Sequence, residues 1–194
     1  MTAPVRRSRL TPEREGELYE AVIELVREVG YEAMTMDAVA ARSRSSKATL
    51  YRQWKGKPQL VAAAMRHTKP VRTSSVDTGS LRGDLHELAR QIGDAAGRDT
   101  AFMNAVGHAV HQTPELAVAL REMLIEPERA LLDQLVRRAV DRGEIRADAA
   151  AVEFFVHMLL GALPARKIVE DRFADADYLT RYVDAVILPA LLGS

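Results

Sequence analysis

Nine basic side chains and a single acidic one fall between Ala33 and Arg72: Arg42, Arg44, Lys47, Arg52, Lys55, Lys57, Arg66, Lys69 and Arg72 against Asp37. The stretch carries a net +8 in a chain whose formal net charge is +0. So many like charges on one short segment make a surface that attracts phosphate. Residues 1–72 hold 14 basic and 8 acidic side chains, a net +6, and residues 73–194 balance them at −6. A basic head and an acidic body imply two tasks. Among the cations stand Ser45, Ser46, Thr49 and Tyr51. Their hydroxyls can bond phosphate oxygens or base edges, and the ring of Tyr51 can lie against a thymine methyl.

Those side chains work together only if short helices position them. Thr35 is suited to N-cap a helix, with Asp37 in its first turn favouring the positive end of the dipole. That helix runs to about Arg42. Ser43, Arg44, Ser45 and Ser46 interrupt it, and a second runs from Lys47 to about Trp54. Two short helices about a tight turn form a helix-turn-helix, whose second helix enters the DNA major groove. Leu50 and Trp54 would pack inward, leaving Lys47, Thr49 and Tyr51 to face the groove. Arg52 and Lys57 would meet the phosphate backbone. Gly56 is expected as a left-handed cap, and Pro58 in the first turn of the next helix. Upstream, Thr11-Pro12 starts a helix with Leu18, Val22, Leu25, Val26 and Val29 at helical spacing, ended by Gly30. Arg6, Arg7 and Arg9 form a short basic arm, either a minor-groove contact or a solvated tail.

Thr35, Val39-Ala40, Ser46-Lys47-Ala48-Thr49-Leu50-Tyr51, Trp54 and Lys57 together resemble the signature of the TetR family of transcriptional repressors. The resemblance covers roughly residues 11–67. Together with the chemistry of the side chains around it, it gives an expected DNA-binding set of Thr35, Arg44, Ser45, Ser46, Lys47, Thr49, Tyr51, Arg52 and Lys57. Arg44-Ser45 depart from the family's usual Gly-Val. Either the turn differs there, or Arg44 adds a phosphate contact.

The remainder reads as helix after helix, so the fold class is all-α: a helix-turn-helix domain over 11–67, then a larger helical effector-binding and dimerisation domain over 80–194. Residues 69–79 form the expected linker. Helices are expected over about 81–96 and 101–111. A third starts at Pro114 and is kinked or restarted by Pro127, and a segment ends at Gly143. Two long helices, 148–170 and 178–192, complete the chain. Both are apolar on more than one side, through Phe154, Phe155, Leu159 and Leu160 in one and Val186, Ile187 and Leu191 in the other. Such helices are either buried within one subunit or packed in a four-helix homodimer interface, as the resemblance implies. Leu159 and Ile187 are the expected central positions.

Catalytic patterns are missing. No glycine-rich phosphate loop or nucleophile elbow occurs, and His86-Glu87 lacks a second histidine four residues on, where Arg90 stands. His108 and His111 share a helix face without a third metal ligand. The expectation is no enzyme, no cofactor and no metal. With 0 Cys there is no disulfide, and no stretch is long and apolar enough for a membrane span, which fits a cytoplasmic protein. A candidate effector pocket gathers Phe102, Met103, His108 and Met123 with Phe155, His157, Met158 and Arg166. Methionines and aromatics with a few polar groups suit an adaptable apolar site, and ordinary core packing is the competing reading. Arg166 would pair with a ligand acid or with Glu170. The function that follows is a ligand-responsive repressor, a homodimer on palindromic double-stranded DNA. The alternatives are an architectural DNA-binding dimer without effector, or an all-α enzyme with a DNA-binding head.

Overall fold

Thr11 accepts a hydrogen bond from the Arg14 amide, and Pro12 fills the first helical position, so α1 (Pro12–Ala33) starts where cap and proline dictate. Gly30 interrupts it with φ 79 and ψ 165. The structure, a computed structural model, describes residues 10–98 and 100–193, and the arginine arm lies outside them. The elements that follow are α2 (Met36–Arg42), α3 (Lys47–Trp54), α4 (Lys57–Thr68), α5 (Leu81–Ala95), α6 (Thr100–Gln112), α7 (Pro114–Leu120), α8 (Glu126–Asp141), α9 (Phe155–Glu170), α10 (Ala176–Tyr182) and α11 (Leu188–Leu192). No strand occurs among the described residues.

The chain divides into two compact units. The first comprises the described parts of Met1–Thr68 and Asp99–Leu124, and the second comprises Lys69–Arg98 and Ile125–Ser194 in their described parts. This differs from the division at 11–67 and 80–194. Helix α6 packs on α1 and α7 on α4. Phe102, Val106, Ala109, Leu116 and Ala119 are buried in the same core as Leu18, Val22, Leu50, Trp54 and Leu60. Apolar burial, not chain order, sets the boundary.

The second core gathers Leu81, Leu85 and Leu88 of α5, Leu135 of α8, Phe155 and Leu159 of α9, and Leu179, Ile187 and Leu191 further on. Helix α5 crosses α10 at Gly93, where a Cβ would lie 2.1 Å from the Ala176 amide nitrogen. Only glycine permits that approach.

Two prolines reshape the turns before them: Pro127, where a kink or restart is expected, and Pro189, which the sequence reading leaves out. Widened π-helical turns, Arg121–Ile125 and Val183–Ile187, stand immediately before α8 and α11. Pro127 and Pro189, near the starts of those helices, have no N–H to return to the preceding turn, so that turn rebonds over a longer span. The expected helix over 148–170 instead begins as a 3₁₀ segment, Ala150–Phe154.

Candidate nucleic-acid interface

The turn between α2 and α3 is held from inside. Ser43 is buried, and its Oγ donates to the Val39 carbonyl at 2.8 Å. Arg14 of α1 donates from Nη2 to the Ser43 carbonyl at 2.8 Å, which ties the turn to the long helix behind it. The Ser45 amide donates to the Ala40 carbonyl at 2.9 Å. Arg44 takes a left-handed backbone with φ 51, the conformation glycine accepts most cheaply. The departure at this position therefore leaves the turn closed and adds strain and a cation.

Ser46 caps α3 through its Oγ, which accepts from the Thr49 amide at 3.1 Å, and the two hydroxyls lie 2.8 Å apart. Thr35 caps α2 likewise, accepting from the Ala38 amide at 3.1 Å. Along α3, Leu50 and Trp54 point into the core, with Trp54 edge-on to Tyr19 at 5.8 Å between centroids. The other side of the helix is presented to solvent: Lys47, Ala48, Arg52 and Tyr51, the last 45% exposed. Leu50 and Trp54 anchor the helix, so the solvent-facing tyrosine is available to a partner.

The charges around this helix are unequally engaged. Arg42 donates to both carboxylate oxygens of Glu28 at 2.8 and 2.7 Å, and the guanidinium holds that carboxyl below its usual range. Lys47 contacts both oxygens of Asp37, at 2.8 and 3.0 Å. Arg44 and Arg52 have no ion-pair partner among the described residues. Two expectations differ from what is found. Lys57 does not extend outward as a phosphate ligand: its ammonium donates to the Tyr31 and Glu32 carbonyls at 3.0 and 3.2 Å and lies 4.3 Å from the Tyr31 ring centroid. A cation there suits the negative end of the α1 dipole, where the Tyr31 carbonyl also accepts from the Met34 amide at 3.2 Å. Lys55, not Gly56, takes the positive φ of 61 that closes α3. The sequence reading missed Asp37 as a partner of Lys47, although its isolation among nine cations was the available signal.

The eight effector candidates are not gathered in one core. In the first unit Phe102 is buried, Met123 is half-buried against the core, and Met103 and His108 face solvent. In the second, Phe155 is buried, Met158 packs at the core's edge, and His157 faces solvent. Arg166 is buried and already neutralised, with Nε 3.3 Å from Glu170, Nη1 3.3 Å from Asp175 and the guanidinium 3.9 Å above the Tyr178 ring. A ligand acid would have to displace two carboxylates. An open cleft of about 300 Å³ in the second unit is lined by Pro70, Arg72, Ser75, Arg90, Gln91, Asp94 and Arg98, none of them a candidate. Among the described residues no group of three or more His, Asp or Glu is placed to hold a metal ion, and no helix is long and apolar enough to cross a membrane.

Comparison with known proteins places this geometry. Residues 18–64 match the family described as "Bacterial regulatory proteins, tetR family", and residues 75–186 match "Tetracyclin repressor-like, C-terminal domain". The chain belongs to the TetR family. It is 38% identical over 183 residues to the uncharacterized HTH-type transcriptional regulator Rv1556 of Mycobacterium tuberculosis (strain ATCC 25618 / H37Rv), covering 93% of this chain and 89% of that one. It is 29% identical over 178 residues to the DNA-binding transcriptional repressor TetR of Mycobacteroides abscessus, covering 90% and 92%. The crystal structure of the TetR family transcription regulator SCO0332 superposes with a TM-score of 0.67 at 29% identity, over 92% of this chain and 98% of that one. This TetR-family chain is therefore a DNA-binding transcriptional regulator and not an enzyme, all-helical with an N-terminal helix-turn-helix.

Proposed function

We propose that the protein is a homodimeric repressor that reads a palindromic operator through two copies of α3 and releases it when a small molecule binds. The observation that carries the reading is the solvent-facing surface of α3, with Tyr51 exposed and Arg44 and Arg52 beside it on a core-anchored helix. Two such helices related by a two-fold axis meet half-sites about one DNA turn apart, roughly 34–36 Å, or a multiple of it. Ser46, Thr49, Arg44 and Arg52 contact phosphate, while Lys47 and Tyr51 reach base edges. Thr35 and Ser45 add hydroxyls at the rim, and Lys57 acts indirectly by fixing the end of α1. The repressor relative from Mycobacteroides abscessus supports repression.

Dimerisation is supported by apolar side chains left in solvent on α9 and the terminal helices: Leu160, Ile168, Val169, Val186 and Leu192. Leu159 and Ile187 are buried in their own subunit's core, so the outward neighbours are the interface positions of this reading. The effector would act on the second unit, beside Phe155 and Met158, and bias the spacing of the two reading heads. A regulator of this kind works in the cytoplasm. The architectural reading, without effector, draws support from the burial of Phe102 and Phe155 in close-packed cores.

The test is selection of bound sequences from random duplex DNA, then titration of the selected operator. Lys47→Ala and Tyr51→Ala should each weaken operator binding by about 1–3 kcal/mol. Unchanged affinity in both at matched salt removes α3 from the reading surface. Thermal-shift screening with hydrophobic small molecules addresses the effector. A compound that raises the melting temperature and releases the operator supports it, and a thorough screen without one favours the architectural dimer.

A further inference from the structure

The acid that stands alone among the cations is in contact with one of the residues expected to read DNA. Asp37 is in the first turn of α2, and Lys47 is the first residue of α3, ten positions on and across the turn. Lys47 Nζ lies 2.8 Å from one carboxylate oxygen and 3.0 Å from the other. Both side chains are exposed, 53% for the lysine and 70% for the aspartate, so the contact forms at the surface of the helix pair and not in its core. Bonding to Asp37 holds the Lys47 ammonium above its ordinary pKa, so it remains a cation.

The caps of the two helices do not use the pair. Thr35 caps α2 and Ser46 caps α3. An exposed lysine–carboxylate pair contributes little to stability, so it opens readily. On DNA the same pair matters more. Non-specific binding comes almost entirely from cations against phosphates, and a lysine bound by a carboxylate contributes no such contact, while the carboxylate repels the backbone. A guanine edge offers two acceptors that compensate the lysine for leaving Asp37, and a single phosphate on an arbitrary sequence compensates it less.

We propose that Asp37 is a specificity-determining residue: it withholds Lys47 from the phosphate backbone and yields it to a matching base edge. The inference rests on α3 being the reading helix. It separates binding to arbitrary DNA from binding to the operator through one opposed charge, and places both partners on the DNA-reading side of the helix pair.

The test is equilibrium binding of Asp37→Asn and wild type to a scrambled duplex and to the operator selected from random DNA, each over a salt series. Freeing one lysine should add one phosphate contact on the scrambled duplex. The slope of log affinity against log salt should then steepen by about 0.9, which at 0.1 M relative to 1 M salt is about an eightfold gain in affinity. Operator affinity should rise by less, so the specificity ratio falls. In a Lys47→Ala background the same substitution should steepen the slope by less, because only the carboxylate's repulsion is lost and no cation is released. An unchanged slope in the wild-type background overturns the proposal, as does an equal or larger gain on the operator. Circular dichroism and melting of Asp37→Asn check that the fold is retained. If Lys47→Ala and Tyr51→Ala also bind the operator normally, the assignment of α3 itself fails. If they weaken binding while Asp37→Asn changes nothing, only the role of Asp37 fails.

Discussion

Helices α3 and α9 both present side chains to solvent, and the chemistry of those side chains differs in kind. Outward from α3 come Lys47, Tyr51 and Arg52, beside Arg44 of the turn. Outward from α9 come Leu160, Ile168 and Val169, with Ile168 82% exposed. Charged and hydroxylated groups rest in water at little cost, so a surface made of them can stand empty and take up a polyanion when one arrives. Apolar groups in water cost roughly 25 cal/mol per Å², so a cluster of them calls for a standing partner. The same physics that makes α3 suitable for reversible binding makes α9 suitable for a lasting interface.

The largest effect that separates the two is expected at the C-terminal helices. Ile187→Asp buries an unpaired carboxylate in the second core and should destabilise that unit by about 4 kcal/mol, enough to lose the folded state in a thermal melt. Ile168→Asp, on the exposed side, should leave the melt nearly unchanged and shift sedimentation equilibrium from dimer to monomer. Equal behaviour of the two would erase the distinction between core and surface positions.

A smaller effect sharpens the α3 side. Arg44→Gly relieves a left-handed residue and should stabilise the first unit by about 1 kcal/mol. The same change removes a cation and should flatten the salt dependence of DNA binding by about one phosphate. Stability and affinity moving in opposite directions would mark Arg44 as strain kept for a contact. Movement in the same direction would argue against it.

The smallest effect concerns Tyr31, whose buried hydroxyl has no hydrogen-bond partner among the described residues. Burial pushes its pKa up to about 12. In the unfolded chain it ionises near 10, so the folded state keeps its proton to higher pH. Its share of stability is present below pH 10 and is lost as pH rises toward 12. Tyr31→Phe should be close to neutral at pH 7 and should flatten the alkaline decline in denaturant unfolding.

Much of the α3 region was legible because its signals are local. Thr35 and Ser46 cap helices one turn before their apolar residues, and a hydroxyl's preference for a free backbone amide requires no tertiary context. Pro114 and Gly143 marked helix ends for the same reason. What escaped the sequence depends on partners distant along the chain. Lys57 turns back 26 residues to the Tyr31 carbonyl, and Phe102 joins the core of α1 and α3. Arg166 was read with Glu170 as an option, yet Asp175, beyond the helix end, completes its neutralisation. Helical spacing reports which residues are apolar together, not which core receives them.

The central claim is that the exposed side of α3 reads DNA sequence. Titration of wild type and Tyr51→Ala against the operator selected from random duplex DNA, at one salt concentration, tests it most directly. The account predicts a loss of about 1–3 kcal/mol in operator affinity with an unchanged melting temperature, and a much smaller loss on scrambled DNA. Equal affinity of the two proteins for the operator would contradict it.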